Sequence, residues 1–191
     1  MNHAITALAL ALVCAPAFVL AAKPAPAPPT IAATGYLLID VDSDNILAAR
    51  DAEPRRAPAS LTKIMTTSVV FRELRSGSIQ ESDEVLVSEK AWKTPGSRMF
   101  IEVNKRVSVG DLLKGMVIQS GNDASVALAE HVAGSEEAFA NLMNDHAHRL
   151  GMKDTHFTNA TGLPDPDHYT TPRDIAMVTE ATIREFPELY K

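Results

Sequence analysis

Apolar positions in this chain gather into short stretches, each bounded by residues that favour turns. Residues 36–41 (YLLIDV) read as a strand, 42–45 (DSDN) as a turn and 46–50 as the returning strand of a hairpin. Residues 64–71 follow Lys63 without a formal charge, which predicts a helix buried on most sides and stopped by Gly77. Residues 85–87 suggest a short strand, and residues 92–104 read as irregular around Thr94-Pro95-Gly96-Ser97. A helix capped by Ser108 is expected through Gln119, another over 122–133 before Gly134, and a third from the Ser135 cap to Leu150 before Gly151. Thr171-Pro172-Arg173-Asp174 then shows an N-cap, a proline in the first helical position and an acid in the third, opening a helix to about Phe186. There is much helix and one hairpin, with too few strands for the sheet such a hairpin joins. The expectation is that the remaining strands lie beyond Lys191.

Residues 5–20 form an Ala/Leu-rich apolar run ahead of Val19-Leu20-Ala21, so residues 1–22 are expected to be a secretory signal cleaved near Ala21 or Ala22. The run is short and broken by Pro16, which argues against a spanning anchor. Residues 23–33, opening KPAPAPPT, then read as an extended Pro/Ala tether before a single domain at 34–191. The one cysteine, Cys14, falls inside the signal, so the exported product would have no disulfide or thiolate chemistry. A net charge of −6 without a basic stripe argues against nucleic acid, and 5% aromatic residues leave little to stack on single strands.

Ser60 and Lys63 stand three apart at the start of the apolar helix, a spacing that puts both on one face. Desolvation there would favour a neutral amine, making a base beside a nucleophile. By itself the pair reads more readily as a helix cap and a solvated first-turn lysine. Ser120-Gly121-Asn122 joins two predicted helices, where a glycine corner would hold a hydroxyl and an amide together. Taken alone, Ser120 is a helix end, Gly121 a breaker and Asn122 the next cap. The two motifs in this order are far more specific than either one.

Pro58-Ala59-Ser60-Leu61-Thr62-Lys63-Ile64-Met65 and Gln119-Ser120-Gly121-Asn122-Asp123-Ala124 resemble the low-molecular-mass penicillin-binding proteins, the serine-type D-alanyl-D-alanine carboxypeptidases. The resemblance continues through Gly96-Ser97-Arg98-Met99-Phe100, Gly151-Met152-Lys153-Asp154-Thr155-His156-Phe157, Asn159-Ala160-Thr161-Gly162-Leu163 and His168-Tyr169-Thr170-Thr171-Pro172-Arg173-Asp174. It implies an α/β (α+β) fold of the serine β-lactamase/D,D-peptidase type, with a helical subdomain beside an incomplete antiparallel sheet. It also implies that Ser60 is the acyl-ester nucleophile, Lys63 its general base, Ser120 a proton relay and Asn122 a substrate-binding residue. The implied substrate is the pentapeptide stem of peptidoglycan outside the cytoplasmic membrane, with β-lactam antibiotics acylating the same serine. No metal or cofactor is called for.

One departure matters. The family's third motif, Lys-Thr-Gly on an inner strand, is absent; Lys93-Thr94-Pro95 precedes Ser120 and ends in a residue that cannot donate to a sheet. The resemblance therefore implies an N-terminal portion of a longer enzyme, one that also carries a C-terminal β-rich domain and a membrane-binding tail. A class A β-lactamase would need a deacylating glutamate after the second motif, but none stands between Glu137 and Glu180, and Asp165 and Asp167 are poor substitutes. A D,D-endopeptidase and a non-catalytic peptidoglycan- or β-lactam-binding module remain as rivals. His146 and His148, two apart on a helix, do not share a face and read as surface or partly buried side chains. His156 and His168 fall in loops that could approach the cleft, and Arg98 is as readily a salt-bridge partner.

Overall fold

A computed structural model of the chain describes Ala27 and residues 29–191; the expected signal at 1–22 lies outside the described residues. Tyr36–Asp40 (β1) and Asn45–Arg50 (β2) pair antiparallel, with Tyr36 opposite Arg50 and an irregularity between Leu38 and Ile39. The Asp40 carboxylate closes the turn by accepting from the Ser43 amide at 2.9 Å. A 3-10 turn at Ala59–Leu61 then leads into Thr62–Ser76 (α1), which ends at Gly77 in the left-handed region.

Glu84–Leu86 (β3) comes next, followed by the short helix Glu89–Lys93 (α2), capped by Ser88. Arg106–Ser108 (β4) pairs antiparallel with β3 in a second two-stranded sheet. The sequence reading missed α2 and β4. Five helical residues and three strand residues are too short to show a period, and Thr94-Pro95-Gly96 directly after α2 made the whole region look irregular. Four helices follow: Val109–Gln119 (α3), Asn122–Ala133 (α4), Glu136–Leu150 (α5) and Pro172–Glu185 (α6). Their bounds agree with the cap signals, because Ser108, Ser135 and Thr171 each accept the amide three residues on. The last element is Pro187–Tyr190 (α7). Helices with small antiparallel sheets make this the mixed α/β architecture that the resemblance implied.

The central element is α1, which packs against α3, α4, α5 and α6. Its buried face is not purely apolar. Met65, Val69 and Val70 share the interior with Thr62, Lys63, Thr66 and Ser68. Each buried polar group has a partner, as burial requires. Thr66 donates to the Ala160 carbonyl at 2.8 Å, and Ser68 lies 3.0 Å from Nε2 of His146. His146 therefore corrects the expectation of a surface or partly buried residue: it is 1% exposed. It follows Phe139 and Met143 at intervals of four and three on α5, which puts it on the core face.

Burial, with Arg72 and Arg149 adding to it, pushes the His146 imidazole down from 6.5 to about 4. The unfolded chain then binds a proton that the folded chain refuses. Stability from this residue is complete above pH 6.5 and is lost as pH falls toward 4, by on the order of 3 kcal/mol. A His146→Gln variant can still pair with Ser68 and cannot titrate. Its urea midpoint is expected to fall less steeply than the parent's between pH 6.5 and 4.

Candidate active site

Ser60 is exposed in the middle of the 3-10 turn, and Lys63 lies one turn further on, only 6% exposed. Two backbone features fix Ser60. Ala59, immediately before it, has φ of 47°, in the left-handed region that non-glycine residues avoid. Against it packs Gly162, so closely that a Cβ there would stand 1.8 Å from the Ala59 carbonyl oxygen.

The Lys63 Nζ has three oxygen neighbours. They are Asn122 Oδ1 at 2.8 Å, the Thr161 carbonyl at 2.8 Å and Ser60 Oγ at 3.3 Å. The first two can only accept. The Asn122 orientation is set by its other end, where Nδ2 donates to the Pro95 carbonyl at 2.7 Å. A neutral amine has two hydrogens and one lone pair. With both hydrogens taken by Asn122 and Thr161, the lone pair is left for the Ser60 hydroxyl. Burial pushes the Lys63 amine down from 10.5 to about 8, so the neutral form is reached near physiological pH.

Ser120 completes the group. It caps α3 in the left-handed conformation with φ of 55°, and its Oγ is buried without a hydrogen-bond partner. An orphaned hydroxyl in a strained residue is a mark of functional geometry. Ser60, Lys63 and Ser120 line one cleft of about 450 Å³, walled on its apolar side by Met116, Val117 and Tyr190. All four expected residues are thus brought together, three in the cleft lining and Asn122 onto the lysine. Asn122 is not the cap of α4; that position is Gly121.

Several residues that hold this geometry had no role in the sequence reading. Asp123, 1% exposed, accepts the amides of Met99, Phe100 and Ile101 at 3.0, 2.9 and 3.2 Å. It thereby straps the segment after α2 to the Ser120 corner, where the Asn122 amide also donates to the Ser97 carbonyl at 2.7 Å. The Thr161 carbonyl is presented by a turn organised on Asn159. The Asn159 Oδ1 accepts from the Thr161 amide, the Thr161 hydroxyl and the Gly162 amide at 3.1, 2.9 and 2.8 Å. Arg98 forms no ion pair among the described residues; it donates to the Trp92 carbonyl and lies over the Phe100 ring. The exposed His156 ring lies 2.7 Å from the Asp167 carbonyl, and its backbone pairs with Tyr169.

A hydroxyl, an amine whose lone pair is left toward it, and a second, unpaired hydroxyl in one cleft are an arrangement that can perform acyl transfer. Residues 22–191 match the family of D-alanyl-D-alanine carboxypeptidases known as peptidase S11. The chain belongs to this family. Among its relatives, the D-alanyl-D-alanine carboxypeptidase DacA of Haemophilus influenzae is 44% identical over 167 residues, which are 86% of this chain and 42% of that protein. DacA of Escherichia coli K12 is 42% identical over 171 residues, with the same two coverages. The crystal structure of penicillin binding protein 5 from Haemophilus influenzae superimposes with a TM-score of 0.84 at 44% identity, over 87% of this chain and 49% of that one. The chain thus spans less than half the length of these S11 relatives.

Proposed function

We propose that this chain carries the acylating machinery of a serine D-Ala-D-Ala carboxypeptidase acting on peptidoglycan stem peptides. The observation that supports it most is the triply coordinated Lys63, whose lone pair is left for Ser60. Lys63 takes the hydroxyl proton as Ser60 Oγ attacks the carbonyl between the two D-alanines. The C–N bond breaks, Ser120 passes a proton to the departing nitrogen, and free D-alanine leaves. Water then attacks the ester, releasing the shortened peptide and restoring the Ser60 hydroxyl. Asn122, bound to Lys63 in this structure, both orients the base and stands ready for the penultimate peptide unit. β-Lactams acylate Ser60 by opening their ring, and the ester persists longer.

In this reading residues 1–22 export the protein, residues 23–33 are a tether, and the catalytic domain begins at 34 and acts outside the cytoplasmic membrane. No Lys-Thr-Gly follows Ser120 within the 191 residues. In the family the strand bearing that motif would supply an oxyanion-hole donor. Doing without one such donor costs about 10²–10³ in rate, so the test on these residues uses millimolar drug and hours of exposure. Intact mass after benzylpenicillin is expected to rise by the mass of one drug molecule, and Ser60→Ala is expected to show no increase. Binding of the drug without a mass change would leave a binding module in place of an enzyme.

A further inference from the structure

His168 is the one histidine that the loop places against the nucleophile's helix. It is 4% exposed and sits between two elements that each hold part of the catalytic group. On one side its Nδ1 accepts the Thr158 amide at 3.0 Å, so this nitrogen carries no proton. The proton of the neutral ring is then on Nε2, which lies 2.8 Å from the Thr62 hydroxyl and donates to it. Thr62 is fully buried and stands between Ser60 and Lys63 in the first turn of the helix. Thr158 opens the turn that presents the Thr161 carbonyl to Lys63. The Phe157 ring packs edge-on against the imidazole and helps exclude water.

We propose that His168 is a positioning residue for the base: its Nε2–H bond to Thr62 holds the first turn of α1 against the 158–163 turn, keeping Lys63 dry and aimed at Ser60. The inference rests on the reading of Lys63 as base. The charged neighbours are compatible with a neutral ring. Burial pushes His168 below its ordinary value; Asp165 acts the other way, and His156 adds a smaller push down. A proton on Nδ1 would point at the Thr158 N–H and break that contact.

If the tie is cut, the turn loosens and water reaches the amine. A water then replaces the Thr161 carbonyl as acceptor while the dehydration is relieved, so Lys63 moves back up toward the ordinary lysine range. His168→Asn keeps an acceptor near Nδ1 and cannot reach Thr62; His168→Gln keeps a donor near Nε2. Thr62→Val and Thr62→Ser make the same cut and the same rescue from the helix side.

The test is NMR titration of the lysine side chains in 13Cε-lysine-labelled whole protein, together with the pH profile of acylation by a fluorescent penicillin. Both cutting variants are expected to raise the Lys63 midpoint by about half a pH unit or more and to slow acylation at pH 7 by about tenfold or more. The Gln and Ser variants are expected to titrate as the parent does. If His168→Asn does not fold, the isosteric Thr62→Val decides the matter. Folded cutting variants with an unmoved midpoint overturn the positioning role, even if their thermal stability is lower. A parent Lys63 that titrates near 10.5 overturns the reading of the base itself, a separate outcome visible without turnover.

Discussion

Replacing Lys63 with methionine is expected to lower the rate of Ser60 acylation by about 10³–10⁴-fold while leaving the protein folded. Loss of rate follows from the geometry, since no other basic side chain touches the Ser60 hydroxyl among the described residues. Retention of the fold follows from linkage. The unfolded lysine titrates at 10.5 and the folded one at about 8, so at pH 7 the native state holds a buried ammonium at a cost of roughly 3 kcal/mol. That penalty is present below pH 8 and disappears as pH rises to 10.5. Methionine removes it and fills similar volume, which offsets the two acceptors, Asn122 Oδ1 and the Thr161 carbonyl, that lose their donor. In the parent, acylation is expected to rise about tenfold per pH unit up to pH 8 and then level off, because only neutral Lys63 can take the proton. The methionine variant should show no such limb. Stopped-flow acylation from pH 5 to 9, with urea midpoints for both proteins, checks rate and stability together.

The cost of that lysine shows which parts of the molecule can be read from sequence. Local signals sufficed for the helices. Ser135 before Glu136, and Thr171-Pro172 with Asp174, state their own caps, and the observed bounds agree with them. Ser60 and Lys63 were legible because the hydroxyl and the amine are side-chain groups and their three-residue spacing carries the geometry. The amine's second acceptor was not, because it is the main-chain carbonyl of Thr161, for which any residue type would serve. The Asn159 side chain that builds its turn was visible only as part of a family resemblance. Asp123 was hidden differently. Its three amide partners lie 22 to 24 residues upstream, in a stretch with no periodic pattern, so nothing local announced the bond. His146 could have been found. Its spacing from Phe139 and Met143 marks a core position, whereas its spacing from His148 says only that those two do not share a face.

Gly162→Ala is expected to destabilise the protein by more than about 4 kcal/mol and to abolish acylation in whatever folds. Two causes combine. At φ of 84° any side chain is strained, which alone costs roughly 1 kcal/mol. The contact adds much more: the new Cβ would stand 1.8 Å from the Ala59 oxygen, 2.4 Å from its carbonyl carbon and 2.9 Å from the Thr62 hydroxyl. None of these is the free end of a flexible chain. Ala59 cannot give way cheaply, since it is itself held at positive φ and is bonded to Ser60. Any retreat therefore moves the nucleophile away from Lys63, or moves the turn that presents Thr161. Gly134→Ala separates the two causes, because Gly134 has φ of 80° with nothing within 4 Å of its added Cβ. That variant should lose only about 1 kcal/mol and acylate at the parent rate. Equal losses for the two in urea unfolding would mean that backbone strain, and not the close approach to Ala59, is what makes glycine necessary at 162.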